Sequence, residues 1–398
     1  MRQIYYVFVF LVILAIALGL IFGLSSDSKG SSSGDNDSTL YSLLYSLNGQ
    51  NWIGPSGPGT VRWVAAGQNL AISEPFAGEG HGVAYGLSAD GTSLWVAAGS
   101  GSLGDPTLLF SLDGQSWQAP TTGASFDIGG LGVAFGLSAD GTSLWVATGR
   151  GGNTLLFSLD GQSWQAPTTG ASFGIGIGYD VAYGLSADGT SLWVAAGRGG
   201  GNALLFSLDG QSWQPTAGLS FGGTGYDVAY GLSANGTSLW VAAGEGDHSL
   251  LFSLDGQSWQ ASTGVSFSVE GFGVAYGLSS DNETRLWVAA GRGANPGDPT
   301  LLFSLDGQSW QTTTGTCFGY TGFGVAYGLS SDNETGLWVA TGTDAPGGGD
   351  NDLLFSLDGQ SWQPTAGLSF VVTGLDVASN LFNRGLCEQN IAPFNRVY

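Results

Sequence analysis

From Leu43 onward the apolar positions come in runs of about four to seven residues, each closed by a turn rich in Gly, Asp, Asn or Ser, and none is long enough for a helix. One stretch shows the grammar: DVAYGLS from Asp180, a turn ADGT, LWVAAG from Leu192, a loop RGGGNA, LLFSLDG from Leu204, then QSWQ and a return segment through Phe221. That spacing predicts four short strands. In LLFSL, Leu204, Phe206 and Leu208 share one face while Leu205 and Ser207 share the other. The pairs Asp90-Gly91, Asp140-Gly141, Asp188-Gly189 and Asn235-Gly236 are tight-turn signals between the first two strands.

The pattern repeats. LLFSLDGQSWQ begins at Leu108, Leu155, Leu204, Leu250, Leu301 and Leu353, with an imperfect copy, LLYSLNGQNW, from Leu43. The six full copies lie 46 to 52 residues apart, the length of a four-stranded propeller blade. The expected fold class is therefore all-β, a β-propeller. Six first strands, around Val83, Val133, Val181, Val228, Val274 and Val325, give six complete blades. A third and fourth strand at Leu43 to Trp52 and a first-strand echo at Asp376-Val377-Ala378 can combine into a seventh, closing the open sheet edges. Its second strand is supplied either by VRWVAAG around Trp63 or by Leu381 to Leu386. The expected division is 1–24 a membrane anchor, 25–40 a Ser/Gly/Asp linker, 41–380 the propeller and 381–398 a closing tail.

Ile4 to Leu24 are uncharged and mostly apolar, enough at ~1.5 Å per residue to cross a ~30 Å hydrocarbon layer as a helix. Arg2 precedes this span and Asp27, Asp35 and Asp37 follow it, which favours a cytoplasmic N-terminus and an extracellular propeller. The alternative is a cleaved signal peptide and a secreted protein, although no A-x-A-like site follows.

Composition narrows the partners. The net charge is −22 and the single Lys is Lys29, so no basic stripe exists to neutralise phosphates, and nucleic acid is excluded as a partner. Cys317 and Cys387 are a disulfide candidate for the ring closure, or two unpaired thiols. Asn36, Asn235, Asn282 and Asn333 head glycosylation sequons. No cofactor is implied. Acidic loops such as Gly104-Asp105-Pro106 could offer oxygens to Ca²⁺, but none keeps the spacing of a calcium loop. His81 and His248, the two histidines, lie in different blades and read as solvated loop residues, which leaves no metal set and no Ser-His-Asp arrangement.

In S-L-D-G-Q-S-W the Asp can accept backbone N–H groups of the turn, the Gly supplies a positive φ and the Trp covers the hydrogen bonds. On these residues the chain resembles the Asp-box, or BNR-repeat, sialidase-like propellers, whose box is usually S-x-D-x-G-x-T-W; here it is one residue shorter. The resemblance spans about Leu43 to Phe370. It implies a structural role for Asp113, Asp160, Asp209, Asp255, Asp306 and Asp358, and it admits hydrolases, binders and assembly factors alike. Sialidase-like catalysis in that family uses three Arg on the substrate carboxylate, a Tyr/Glu pair and an Asp acid. No such unique set is visible here: Arg150, Arg198 and Arg292 each directly follow WVA[AT]G, a repeated position, and no R-I-P motif occurs. No catalytic residue is assigned.

The uniform turns and boxes emerge on one face of the propeller and the variable loops on the other, where recognition is expected. Asp180, Asp227 and Asp376 begin first strands at that variable face, with Tyr179 and Tyr226 beside two of them; together with Arg150, Arg198 and Arg292 they are the candidate ligand-binding residues. Strand-end carboxylates bonded to neighbouring backbone are the alternative for the three Asp. The expected function is a membrane-anchored extracellular module that binds glycan or protein without catalysis; a sialidase-like glycoside hydrolase and a structural surface component are the alternatives.

Overall fold

The computed structural model describes residues 43–46, 51–52, 63–68, 76 and 79–379, less 103, 115, 234, 282, 330–335, 345–351 and 368–372. The described residues contain strands and turns and no helix, so none is available that is long and apolar enough to cross a membrane. Ile4 to Leu24, Asn36, Asn282, Asn333 and Cys387 lie outside the described residues.

Each repeat folds as a four-stranded antiparallel blade. In the unit spelled out above, Ile177–Leu185 pairs with Ser191–Gly199, which pairs with Asn202–Ser207, which pairs with Ser212–Pro215. First strands of neighbouring blades lie side by side in chain order, and the last of them, Thr373–Ser379, lies beside the first, Glu79–Leu87. This is the geometry of a β-propeller.

The composite blade is resolved in favour of VRWVAAG. Trp63–Gln68 is its second strand, hydrogen-bonded on one side to Leu43–Ser46 and on the other to Thr373–Ser379. The register repeats that of a whole blade: Ser46 faces Trp63 as Ser207 faces Trp193. The second strand thus follows the third and fourth in sequence instead of preceding them. Among the described residues a parallel clasp ties a blade's return segment to the next blade's fourth strand, as Thr169–Gly170 does to Ser212–Trp213, and Ala366–Gly367 makes the same clasp with Asn51–Trp52.

The core lies between sheets. One cluster joins Leu94, Val96 and Phe110 of one blade to Trp145, Leu156 and Trp164 of the next, and equivalent clusters recur around the ring. Leu204, Leu205 and Ser207 are all buried, because both faces of a third strand are covered by neighbouring blades. Each second-strand Trp buries on the order of 200 Å², roughly 5 kcal/mol of transfer free energy before entropy is charged. Trp145 and Trp240 also donate Nε1–H to the carbonyls of Leu87 and Leu185 in the preceding blade, at 3.1 and 3.2 Å.

The repeated first-strand Tyr and Gly form a second lock. Tyr230 packs on Trp240 of its own blade at 5.0 Å or less, ring centroids being 4.9 Å apart, and its other side sits against Gly184 of the preceding blade. A Cβ on Gly184 would stand 2.1 Å from the ring, so only glycine fits.

The box turn behaves as a hydrogen-bonded plug. Asp209 Oδ1 accepts from the Ser207 hydroxyl at 2.9 Å and from the N–H groups of Gln211 and Ser212 at 2.8 and 2.7 Å. Gly210, with φ of +69°, lies so close to Leu144 of the preceding blade that a Cβ would be 2.3 Å from its Cδ2. The same hydrogen bonds recur at Asp160, Asp255, Asp306 and Asp358, while Asp113 accepts from Ser111 and Ser116.

Candidate functional site

A β-bulge interrupts each first strand near its start, and the extra residue in the six complete blades is His81, Leu131, Tyr179, Tyr226, Phe272 or Phe323. Bulges re-aim side chains. Here they build an aromatic arc along the channel wall: Tyr179 and Tyr226 meet at 5.0 Å, Tyr226 and Phe272 at 5.0 Å, Phe272 and Phe323 at 5.2 Å, all tilted or edge-on. The four rings are half-buried, so each keeps part of its surface exposed.

Polar groups converge on Tyr226. Its hydroxyl donates to Glu245 Oε2 at 2.8 Å, and the Thr224 hydroxyl donates to Glu245 Oε1 at 3.1 Å. Glu245 is the penultimate residue of a second strand and pairs across the blade boundary with Glu270, which opens the next first strand. Glu270 is buried and forms an ion pair with Arg292, whose guanidinium also lies 5.8 Å from the Tyr320 ring centroid. Glu245 and Glu270 are thus direct cross-strand neighbours, and each alters the other's proton affinity.

These contacts set the charge state. Burial holds Glu270 above the usual carboxylate range despite Arg292. Burial pushes Glu245 the same way, but hydrogen bonds from Tyr226, Thr224 and Glu270, with the charge of Arg198, bring it below that range. Burial and then the Glu245 hydrogen bond drive the Tyr226 phenol well above its ordinary value, so it stays protonated and a donor at neutral pH.

The three candidate arginines keep one position at the variable face. Arg150 faces Gly129, Arg198 faces Ile177 and Arg292 faces Glu270, each across its own hairpin. In the blade between the last two, that position is Glu245, and this exception creates the Tyr226–Glu245 pair. The Tyr/Glu pair is not announced by the sequence because that second-strand position varies from blade to blade, holding Ser100, Arg150, Arg198, Glu245, Arg292 and Thr343; the available signal was the one Glu among them.

Asp180 and Asp227 are engaged with backbone of the neighbouring blades. Asp227 Oδ1 accepts from its own Val228 N–H at 2.7 Å and Oδ2 from Val274 N–H at 2.6 Å in the next blade, while Asp180 Oδ2 reaches Val228 N–H at 3.3 Å. Enclosure raises the Asp227 carboxyl, opposed by hydrogen bonds from Asp180, Val274 and Val228. Both act as clamps between first strands. The backbone of Asp376 pairs with Ala66 in the composite blade.

His81 departs from the sequence reading. It is a half-buried bulge residue of a first strand, not a solvated loop residue, with Nε2 3.4 Å from the Ser100 hydroxyl. Burial first, and Arg150 second, lower its pKa to about 4. Cys317 is exposed, and Asn235 sits exposed at a hairpin tip. Among the described residues no group of three or more His, Cys, Asp or Glu could hold a metal ion.

No family model and no curated protein matches the chain. Solved structures do. A protein of unknown function from Dyadobacter fermentans aligns with TM-score 0.40 and 14% identity over 79% of this chain and 97% of that one. An ancestral GH74 enzyme aligns with TM-score 0.39 and 13% identity over 81% of this chain and 55% of that one. The Penicillium chrysogenum α-L-arabinanase solved with arabinobiose aligns with TM-score 0.40 and 12% identity over 76% and 93%.

Proposed function

We propose that this chain is a seven-bladed propeller of the Asp-box type whose variable-loop mouth binds carbohydrate without cleaving it, held outside a membrane by Ile4 to Leu24. The observation that carries the reading is the aromatic arc of Tyr179, Tyr226, Phe272 and Phe323 beside the Glu245, Glu270 and Arg292 cluster. A sugar offers C–H faces that pack on half-buried rings and hydroxyls that need fixed donors and acceptors, and the mouth offers both. The six complete units and the composite one, whose clasp and register match the rest, support a count of seven. Several neighbouring contacts on one repeated scaffold suit a repetitive glycan by avidity.

Binding is favoured over hydrolysis because both neighbouring carboxyl groups are already engaged, Glu270 by Arg292 and Glu245 by the Tyr226 and Thr224 hydroxyls. One observation favours the hydrolase reading, the 2.8 Å bond between Tyr226 and Glu245, since a Tyr/Glu pair is what the sialidase resemblance asks for. Against it, that phenol is held protonated and Arg292 is taken up by Glu270. The test is an array of immobilised glycans probed with the full chain and scored both for retained protein and for loss of terminal sugar.

A further inference from the structure

The face opposite the mouth carries an unabsorbed pattern. In every box turn the residue before the Asp is an exposed leucine: Leu112, Leu159, Leu208, Leu254, Leu305 and Leu357 are between 43% and 58% exposed. Globular surfaces expose single leucines freely, but six at one repeated position around one face make a ring.

The hairpin tips and box turns share this face. Trp193 pairs with Tyr183 on one side and Ser207 on the other, so the turn after Leu185 and the turn after Ser207 leave the sheet at the same end. Arg150, Arg198 and Arg292 leave at the other end. Carboxylates therefore accumulate here: the six box aspartates, and Asp90, Asp140, Asp188 and Asp281 at hairpin tips. Among the described residues the cation at this end is Arg285, which opens its second strand and donates to the Ser233 carbonyl at 3.3 Å.

These charges are fixed. Asp140 and Asp188 are held at about 2, chiefly by the hydroxyls of Ser138 and Ser186 and then by Thr142 and Thr190. Burial raises Asp160, Asp209, Asp255, Asp306 and Asp358, but turn N–H groups outweigh it and hold these five box aspartates below the usual range. Protonation at mildly acidic pH will not erase the field.

We propose that the box face is a docking surface for a cationic amphipathic polypeptide, its apolar side chains resting on the leucine ring and its Lys or Arg side chains facing the surrounding carboxylates. Charge selects this occupant. A second copy would bring the same carboxylates against each other, and an anionic or neutral bilayer offers them no compensation. A leucine-only contact would not need the negative rim, and a carboxylate-only contact would not need six exposed leucines. This surface is independent of the mouth.

The experiment uses the full chain, immobilised, and three synthetic helical peptides of equal length: Lys/Leu amphipathic, Lys/Ser and Glu/Leu. The Lys/Leu peptide should bind at least tenfold more tightly than either other peptide, and should weaken about tenfold between about 50 and about 300 mM salt. A Leu159→Ser, Leu208→Ser, Leu254→Ser variant should lose about tenfold in Lys/Leu affinity, whereas Ile175→Ser, a fully exposed position before a first strand, should not. Equal binding of Lys/Leu and Lys/Ser overturns the proposal from the parent chain alone, whatever the folding of the variant. Unchanged affinity in the folded triple variant, or leucine-dependent self-association of the chain in place of peptide binding, overturns it too.

Discussion

The Tyr226 hydroxyl donates a 2.8 Å hydrogen bond to Glu245, across a hairpin three of whose equivalents carry Arg150, Arg198 and Arg292 at the same position, while two others carry Ser100 and Thr343. Where three blades present a cation, this one presents a neutral donor bound to an acceptor. Replacing Tyr226 by Phe keeps the ring contacts and removes the donor. It should cost about 1 kcal/mol of stability and weaken carbohydrate binding about fivefold, read by thermal melting and by titration with a bound glycan. Loss of folding, or no change in either quantity, would contradict the assigned role.

His81 predicts an acid transition. Its folded pKa of about 4 lies below the ordinary 6.5, so the unfolded chain binds the proton first as pH falls. The neutral imidazole supports the fold above about pH 6.5, and that support is lost as pH falls from there to about 4, at most about 3 kcal/mol. Melting temperature against pH should drop across that window in the parent chain and drop less in His81→Gln.

The box turn predicts a stability loss without a charge-reversal partner. Asp209→Ala removes the acceptor of one hydroxyl and two N–H bonds, and should destabilise by roughly 2 to 3 kcal/mol in denaturant titration. Asp209→Asn, which retains a side-chain oxygen, should cost less. Equal effects would mean that the turn needs the charge more than the acceptor.

Gly184→Ala tests how blades interlock. Its Cβ would collide with the Tyr230 ring, so the strand or the ring must shift, at about 1 to 3 kcal/mol. Adding Tyr230→Ala should make the alanine nearly harmless, a coupling that a double-mutant cycle reads directly. Additive losses would show that ring and glycine do not interlock.

The blades were legible in the sequence because strand alternation, Asp-Gly turns and the box are local signals repeated in register. The composite blade was half legible. Both ends announced themselves, but Trp63–Gln68 follows rather than precedes its partner Leu43–Ser46, so chain order gave no reason to prefer it over the tail. The mouth was less legible. Tyr179 and Tyr226 were picked out by position, whereas Phe272 and Phe323 join them only through bulges at the same register. Glu245 and Glu270 meet across a blade boundary, a contact no linear spacing announces. Asp180 and Asp227 carried the right residue type for a sugar contact, yet the backbone N–H groups of Val228 and Val274 draw them into clamping adjacent strands.

The most direct measurement is the glycan array run in parallel with the parent chain, Tyr226→Phe and Glu245→Gln, scoring retained protein and the terminal sugars left on each spot. The parent should be retained on one class of glycan with every terminal sugar still in place, and both variants should be retained about fivefold more weakly. Removal of terminal sugar by the parent but not by Tyr226→Phe would contradict it and make Tyr226 a nucleophile; absence of the parent from every spot would contradict carbohydrate binding itself.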